Sequence, residues 1–148
     1  MQEDKISLDN KVEDFEAAIR AYRGLLERLR NELVKEVERA PANAKEAVAT
    51  LKVIRLKKPD EIWVVLGHHN DYIVIPFAYC SCPHFTIHVV GMGWHKPCYH
   101  LVAVELARRS NRFRDLSEKL SRDELYEIVY EVLYEGRSRL LRRLIYRG

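Results

Sequence analysis

A chain of 148 residues, 47% hydrophobic and 32% charged, can bury one ordinary core, so the simplest organisation is a single domain over residues 1–148. No stretch approaches the ~20 apolar residues of a membrane-spanning helix, and Met1-Gln-Glu-Asp-Lys5 opens on charges rather than a secretory leader. The expectation is a soluble intracellular protein without membrane contact, in the cytoplasm or nucleoid of a prokaryote or the nucleus of a eukaryote; a net charge of +3 does not by itself announce a nucleic-acid binder.

Asp9 to Ala40 predicts one long helix. Val12, Phe15, Ile19, Tyr22, Leu26, Leu29 and Leu33 recur in alternating steps of three and four, charged residues fill the other faces, and Pro41 supplies a stop signal. This spacing suits the seam of a self-dimerising coiled coil, while Ala18 and Leu25 widen the stripe to that of a helix packed on its own domain. Phe15-Glu-Ala-Ala18 also has the Phe-x-x-Ala form that resembles recombinase-docking motifs, although its place on the apolar stripe favours core packing. Ala42 to Leu51 predicts a short helical turn. Beyond it the period changes: Val53–Leu56, Glu61–Leu66 and Asp71–Phe77 are rich in β-branched and aromatic residues and separated by turn signals, which predicts a small antiparallel sheet. Between the second and third strands, His68 and His69 sit on a hairpin tip, where neighbouring side chains point apart rather than converge on a metal.

The third strand leads into Cys80-Ser-Cys82, which a fifteen-residue gap separates from Cys98-Tyr-His100; all three cysteines of the chain fall in this pattern. Three thiolates and an imidazole complete the tetrahedral set of a closed, structural Zn²⁺ site with one ion per chain, whereas a catalytic zinc keeps a position open for water. Pro83 and Pro97 hold the two ligand pairs from either side. One alternative is that the cysteines are buried fillers beside a hydrogen-bonded His100. A disulfide is another, but it leaves one cysteine over, and Cys80 and Cys82 are too close to bridge without strain. His84, His88 and His95 lie near enough to substitute as fourth ligand, yet His100 best completes the repeated Cys-x-Cys, Cys-x-His arrangement.

Pro97 fits the first turn of a helix that Leu101, Val102, Val104, Leu106 and Ala107 continue to about Arg109. The helix dipole stabilises thiolate charge at its start, that of Cys98 above all. Zinc then clamps a hairpin end to a helix start, and Ala103 lies on the inner side, where a larger residue overpacks. Ser121-Arg-Asp-Glu124 has capping-box form, and Leu125, Ile128, Val129, Val132, Leu133, Leu140, Leu141, Leu144 and Ile145 form the apolar stripe of a final helical segment that Gly136 interrupts. One arginine run, Arg108, Arg109, Arg112 and Arg114, directly follows the zinc helix, and another, Arg137, Arg139, Arg142, Arg143 and Arg147, fills the half of the final segment beyond Gly136. Arginine engages two phosphate oxygens at once, so these residues are the candidate nucleic-acid surface; the competing account is a solvated helical face paired with nearby glutamates.

The runs Cys80-Ser-Cys82-Pro83-His84-Phe85 and Cys98-Tyr-His100-Leu-Val-Ala103 resemble the SWIM zinc finger, whose pattern is Cys-x-Cys, a variable gap, then Cys-x-His. Trp63–Gly67 and Tyr72–Ile75 resemble the two strands that lead into that knuckle, so the likeness covers about residues 61 to 108. Ala103 three residues past the ligand histidine, the hydrophobic insert Phe85–Val90 and the small size resemble the Shu-complex branch, whose members assist RecA-type recombinases in homologous recombination. Tyr99 departs from the pattern, standing where SWIM fingers often carry lysine. The expected fold is α+β: a small antiparallel sheet and zinc knuckle, the ββα SWIM module over residues 53–109, flanked by an N-terminal helix over 9–40 and a C-terminal helical segment over 116–147.

No glycine-rich phosphate loop, dinucleotide fingerprint or Gly-x-Ser-x-Gly nucleophile turn occurs, and zinc ligation accounts for Cys98 and His100, the one pair that could suggest a nucleophile and its base. The resemblance implies a non-enzymatic adaptor in recombination and DNA repair. Its partner would be a RecA-type recombinase paralogue that supplies the ATPase, and it would reach single-stranded DNA through that heteromer. The alternative is a stand-alone DNA-binding zinc protein, a regulator or transposase relative, acting through the arginine runs.

Overall fold

The computed structural model describes residues 2–93 and 96–147. In chain order they form α1 (Gln2–Glu38), α2 (Ala42–Ala49), β1 (Val53–Lys57), β2 (Ile62–Leu66), β3 (Asp71–Ile75), β4 (Tyr79–Cys80) and a π-helical segment (His84–Gly91). Next come α3 (Tyr99–Ser110), β5 (Arg114–Asp115), α4 (Arg122–Tyr130), a wider π-helical continuation over Glu131–Glu135, and α5 (Arg139–Tyr146). The five strands make one sheet in the order β4-β3-β2-β1-β5. The class is α+β, as expected. Among the described residues no helix is long and apolar enough to cross a membrane.

Strand alternation divides the core in two. Val53, Trp63, Val65, Val74 and Cys80 face one way, against Leu25, Leu29, Leu33 and Val37 of α1, Ala44, Ala47 and Val48 of α2, and Leu101, Ala103, Val104 and Ala107 of α3. Ile54, Leu56, Val64, Leu66 and Ile73 face the other way, against Ile128, Val132, Leu140 and Leu141 of the C-terminal helices. Covering both faces explains why these strands read as unbroken apolar runs, since a sheet with one wet face alternates polar and apolar residues.

Three details differ from the expectation. The third strand does not run through to the cysteines. Pro76 has no N–H for the ladder, Phe77 takes φ 63°, and Ala78 N–H closes a turn on Ile75 C=O at 3.0 Å, so a separate β4 returns with Cys80 opposite Val74. The sheet is also mixed rather than wholly antiparallel, because Arg114 and Asp115 pair in parallel with Ile54 and Arg55. Two residues give no strand pattern of their own. Thirdly, α1 runs from Gln2 to Glu38 rather than from Asp9 to Ala40: it begins ahead of the apolar stripe, and it ends early because Pro41 pushes the residue before it out of the helical region.

On α1 the apolar stripe divides between core and solvent. Leu25, Leu29, Leu33 and Val37 are buried, but Phe15, Ile19 and Tyr22 are exposed, Phe15 to 65%, so packing on the domain accounts for only the second half. Val12 lies outside the residues whose side chains are described.

The C-terminal helices are tied to the sheet by buried polar groups. Ser121 caps α4 by accepting the Glu124 N–H, while the Glu124 carboxylate accepts the Ser121 N–H, which completes the expected capping box. Gly136 takes φ +79° and ends the π-helical turns, as its place in the apolar stripe suggested. Its carbonyl accepts the Asp71 N–H at 2.8 Å. The Asp71 carboxylate then accepts the Ser138 N–H at 3.0 Å and the Arg142 guanidinium, while Arg142 also donates to the Gly67 carbonyl at 3.0 Å. Ser138 caps α5, and its hydroxyl donates to the buried Glu131 carboxylate at 3.1 Å. Thus α5 is latched to the β2–β3 hairpin.

Candidate metal centre

The two ligand pairs arrive from opposite ends of the knuckle. Cys80 ends β4 and Cys82 follows it; Cys98 is the N-cap of α3 and His100 lies in its first turn, with Pro97 just ahead of the cap rather than within the helix. All four side chains are buried, and their ligand atoms lie within 4.8 Å of one another. A tetrahedron with zinc–sulfur bonds of about 2.3 Å has edges of about 3.8 Å, so this donor set fits a four-coordinate metal after an inward shift on the order of 1 Å. The cysteines are free rather than bridged. His84 and His88 are not among the clustered residues: His84 contacts the Lys96 carbonyl at 3.1 Å and stands beside the His88 ring. His95 lies outside the described residues, and His68 and His69 are exposed on the hairpin tip.

Electrostatics of the thiols point the same way. Burial, reinforced by hydrogen bonds to Cys82 and Cys98, pushes the Cys80 thiol far above its ordinary value. For Cys98 a hydrogen bond with Cys80 pulls down, but the bond to Cys82 and burial outweigh it and the thiol is pushed up to about 12. Cys82 goes the other way: it gathers hydrogen bonds from Cys80 and Cys98 and the Phe85 N–H at 3.4 Å, which hold it well below the usual thiol range. A divalent cation at their centre would favour the thiolate form of all three.

Neither ring nitrogen of His100 makes a well-formed hydrogen bond among the described residues, though the ring is buried and stands close enough to Cys82 to help hold that thiol down. An unpaired buried imidazole costs on the order of 1–3 kcal/mol, which coordination through one nitrogen would offset. Aromatic packing orients the ring instead, with the Tyr72 centroid at 4.4 Å and that of Tyr99 at 4.0 Å. Tyr99 at the position between the two ligands therefore serves as a ring support, a role its place in the motif did not suggest. Ala103, one turn on, is fully buried in the core between α3 and the sheet, on the inner side of its helix.

The two arginine runs fare differently. Arg108 pairs with Glu61 at 3.1 Å and Glu105 at 2.9 Å, and Arg109 with Glu105 at 3.2 Å. Arg112 donates to the Ala49 carbonyl at 2.9 Å and Arg114 to the Leu51 carbonyl at 3.1 Å. All four of these side chains thus serve the fold. Of the second run only Arg142 is so engaged, on Asp71; Arg137, Arg139, Arg143 and Arg147 are exposed and have no side-chain partner among the described residues. Residues that the sequence did not single out, Asp71, Glu131 and Ser138, build the latch beneath them. The contacts of Asp71 cross 67 and 71 positions and leave no local signal, although a lone Asp closing a hairpin turn next to apolar strand residues is a weak one.

No family model, curated protein or solved structure matches this chain.

Proposed function

We propose that this protein is a zinc-stapled, non-enzymatic accessory protein of SWIM type, which works by protein contact in a heteromer with a RecA-type recombinase paralogue and supports that partner's filament on single-stranded DNA. The observation that carries the reading is the convergence of the Cys-x-Cys and Cys-x-His pairs on one buried point, the arrangement that the SWIM resemblance implies. An S₃N set with all four donors supplied by protein suits a structural Zn²⁺ and leaves no position for substrate.

Protein contact is favoured by where apolar surface is left open. Between the ligand pairs, the π-helical segment exposes Ile87 and Val90, and Met92 follows, while the first half of α1 exposes Phe15, Ile19 and Tyr22. Clustered apolar surface of this kind marks interaction sites. A second reading, a stand-alone nucleic-acid binder, is favoured by the four unpaired arginines around α5.

Purification of the tagged chain from its own cells, with metal analysis and identification of what co-purifies, tests the proposal. The expected result is one zinc per chain and a RecA-type ATPase in stoichiometric amount. A zinc-loaded chain that recovers no such ATPase would move the assignment to the second reading.

A further inference from the structure

Between α5 and the β2–β3 hairpin tip lies an open basin of about 740 Å³, its lining including His69, Arg139, Arg143, Tyr146 and Arg147, with Glu135 its one carboxylate. From this basin we infer a binding site for the phosphodiester backbone of single-stranded nucleic acid, with Arg139, Arg143 and Arg147 as its principal contacts. The choice of DNA as the strand rests on the proposed function; the anion site and its single-strand form rest on the basin alone.

The argument begins with how α5 is held. Its apolar residues Leu140 and Leu141 are buried in the core, and Arg139 and Arg143 stand out to solvent. The carboxylates that fix this helix, Asp71 and Glu131, are themselves buried and are spent on Ser138, Leu140 N–H and Arg142. None of that negative charge reaches the outward arginines. Like charges crowded on one short helix repel, and burying carboxylates is costly, so the latch maintains an array that is unfavourable until a polyanion arrives.

Spacing then selects the ligand. Arg139 and Arg143 lie one turn apart on α5, about 6 Å along its axis, and Arg147 is the residue that caps its end, so the three follow one another along one side of the basin. A row of guanidinium groups meets successive phosphates of a strand, whereas one free phosphate would leave most of it unused. Tyr146, exposed to 62% although the Arg114 guanidinium covers one face of its ring, and His69 on the hairpin tip line the same basin and offer flat faces on which unpaired bases stack. Duplex DNA offers no such faces at its backbone. Anchoring matters as well: the guanidinium of Arg142 is fixed by Asp71, and a Cβ at Gly67 would meet the Asn70 carbonyl oxygen at 2.5 Å, so the hairpin wall is a close-packed turn that only glycine permits.

The test is fluorescence anisotropy with a labelled oligothymidylate strand and the full metal-loaded chain, starting at low salt. The triple variant Arg139→Gln/Arg143→Gln/Arg147→Gln alters only exposed, unpaired side chains and should keep the metal and melt as the wild type does. Its affinity should fall at least tenfold, and its log K against log salt slope should flatten by about 2, at ~0.7 for each single-strand phosphate that an arginine no longer neutralises. Arg108→Gln/Arg109→Gln should leave that slope unchanged. The site is overturned if the wild type shows no affinity at low salt, or if the triple variant binds with unchanged slope. The single-strand assignment is overturned if duplex of the same length binds as tightly, and the nucleic-acid assignment if polyglutamate displaces the strand as well as unlabelled oligothymidylate does. Partner recovery is independent of these outcomes: a chain that binds the strand through these arginines yet brings down no RecA-type ATPase supports the site and overturns the adaptor reading.

Discussion

Asp71 and Arg142, seventy-one positions apart, form a salt bridge in which the carboxylate is wholly buried and the guanidinium partly so. The same carboxylate accepts the Ser138 N–H at 3.0 Å, so one side chain holds both the cap and the second turn of α5. Breaking it strands a positive charge and a helix N-terminus together. Asp71→Ala should therefore lower unfolding free energy by about 2–3 kcal/mol, since it leaves the Ser138 N–H unpaired and a part-buried guanidinium that solvent still reaches. Denaturant titration of the metal-loaded protein measures it, and a loss below ~1 kcal/mol would show the bridge to be incidental.

Removal of the metal should be more severe. Four buried donors that link β4 to α3 stabilise the fold only when coordinated, and structural zinc contributes on the order of 10 kcal/mol in small modules. Cys82→Ala and His100→Ala should each lose the ion and the cooperative unfolding transition. Plasma emission spectrometry with circular dichroism checks both together; near-normal metal content in both variants would refute the ligand set.

Metal uptake should also be proton-coupled. Without a metal, the raised thiols of Cys80 and Cys98, the latter at about 12, keep their protons throughout the neutral range. Binding must displace them, so each ion taken up should release more than one proton, and apparent affinity should rise with pH over the neutral range, below the raised values. Zinc titration in weakly buffered indicator solution reads the release directly. Uptake without acidification would mean that the thiols are already ionised.

Ala103 supplies a separate test of the knuckle. It is fully buried on α3 one turn beyond His100, so Ala103→Thr adds volume and a hydroxyl to a packed contact and should cost about 1–3 kcal/mol. The ligands are not altered, so the metal should be retained. Melting temperature and metal content separate the two effects, and a parallel loss of partner binding is expected on the proposed function.

The halves of α1 should respond oppositely to substitution. Leu29→Ala removes a fully buried side chain and should cost about 2–5 kcal/mol. Ile19→Asp lies where the helix is exposed and should leave monomer stability within about 0.5 kcal/mol while abolishing any self-association through that stripe. Sedimentation velocity at several concentrations decides whether that association exists.

What could be read from the sequence was whatever is local. The Cys-x-Cys and Cys-x-His pairs, the capping box at Ser121 and Glu124, the break at Gly136 and the first strands each follow from residue types at short spacing. Other features depend on residues far apart. The β4 return hangs on a left-handed Phe77, which side-chain type does not announce, and the β5 pairing rests on two residues whose Leu116 N–H happens to reach the Arg55 carbonyl at 2.9 Å. Charge patterning was the least informative. Arg108 and Arg143 look alike in the chain, and only the tertiary position of Glu61 and Glu105 separates a spent cation from an available one.

The brevity of the outer strands also bears on aggregation and on how a partner can attach. Both edges of the sheet, β4 and β5, are two residues long, one running into the metal ligands and the other into the turn that Ser117 closes on Asp115. A sheet grows edge to edge through a long row of unpaired N–H and C=O groups, and this one offers almost none. The fold is thereby protected against strand-wise polymerisation, and recognition by β-strand addition is closed to it. A partner of the proposed kind would be met through helix faces, the apolar segment beside the knuckle and side-chain charge.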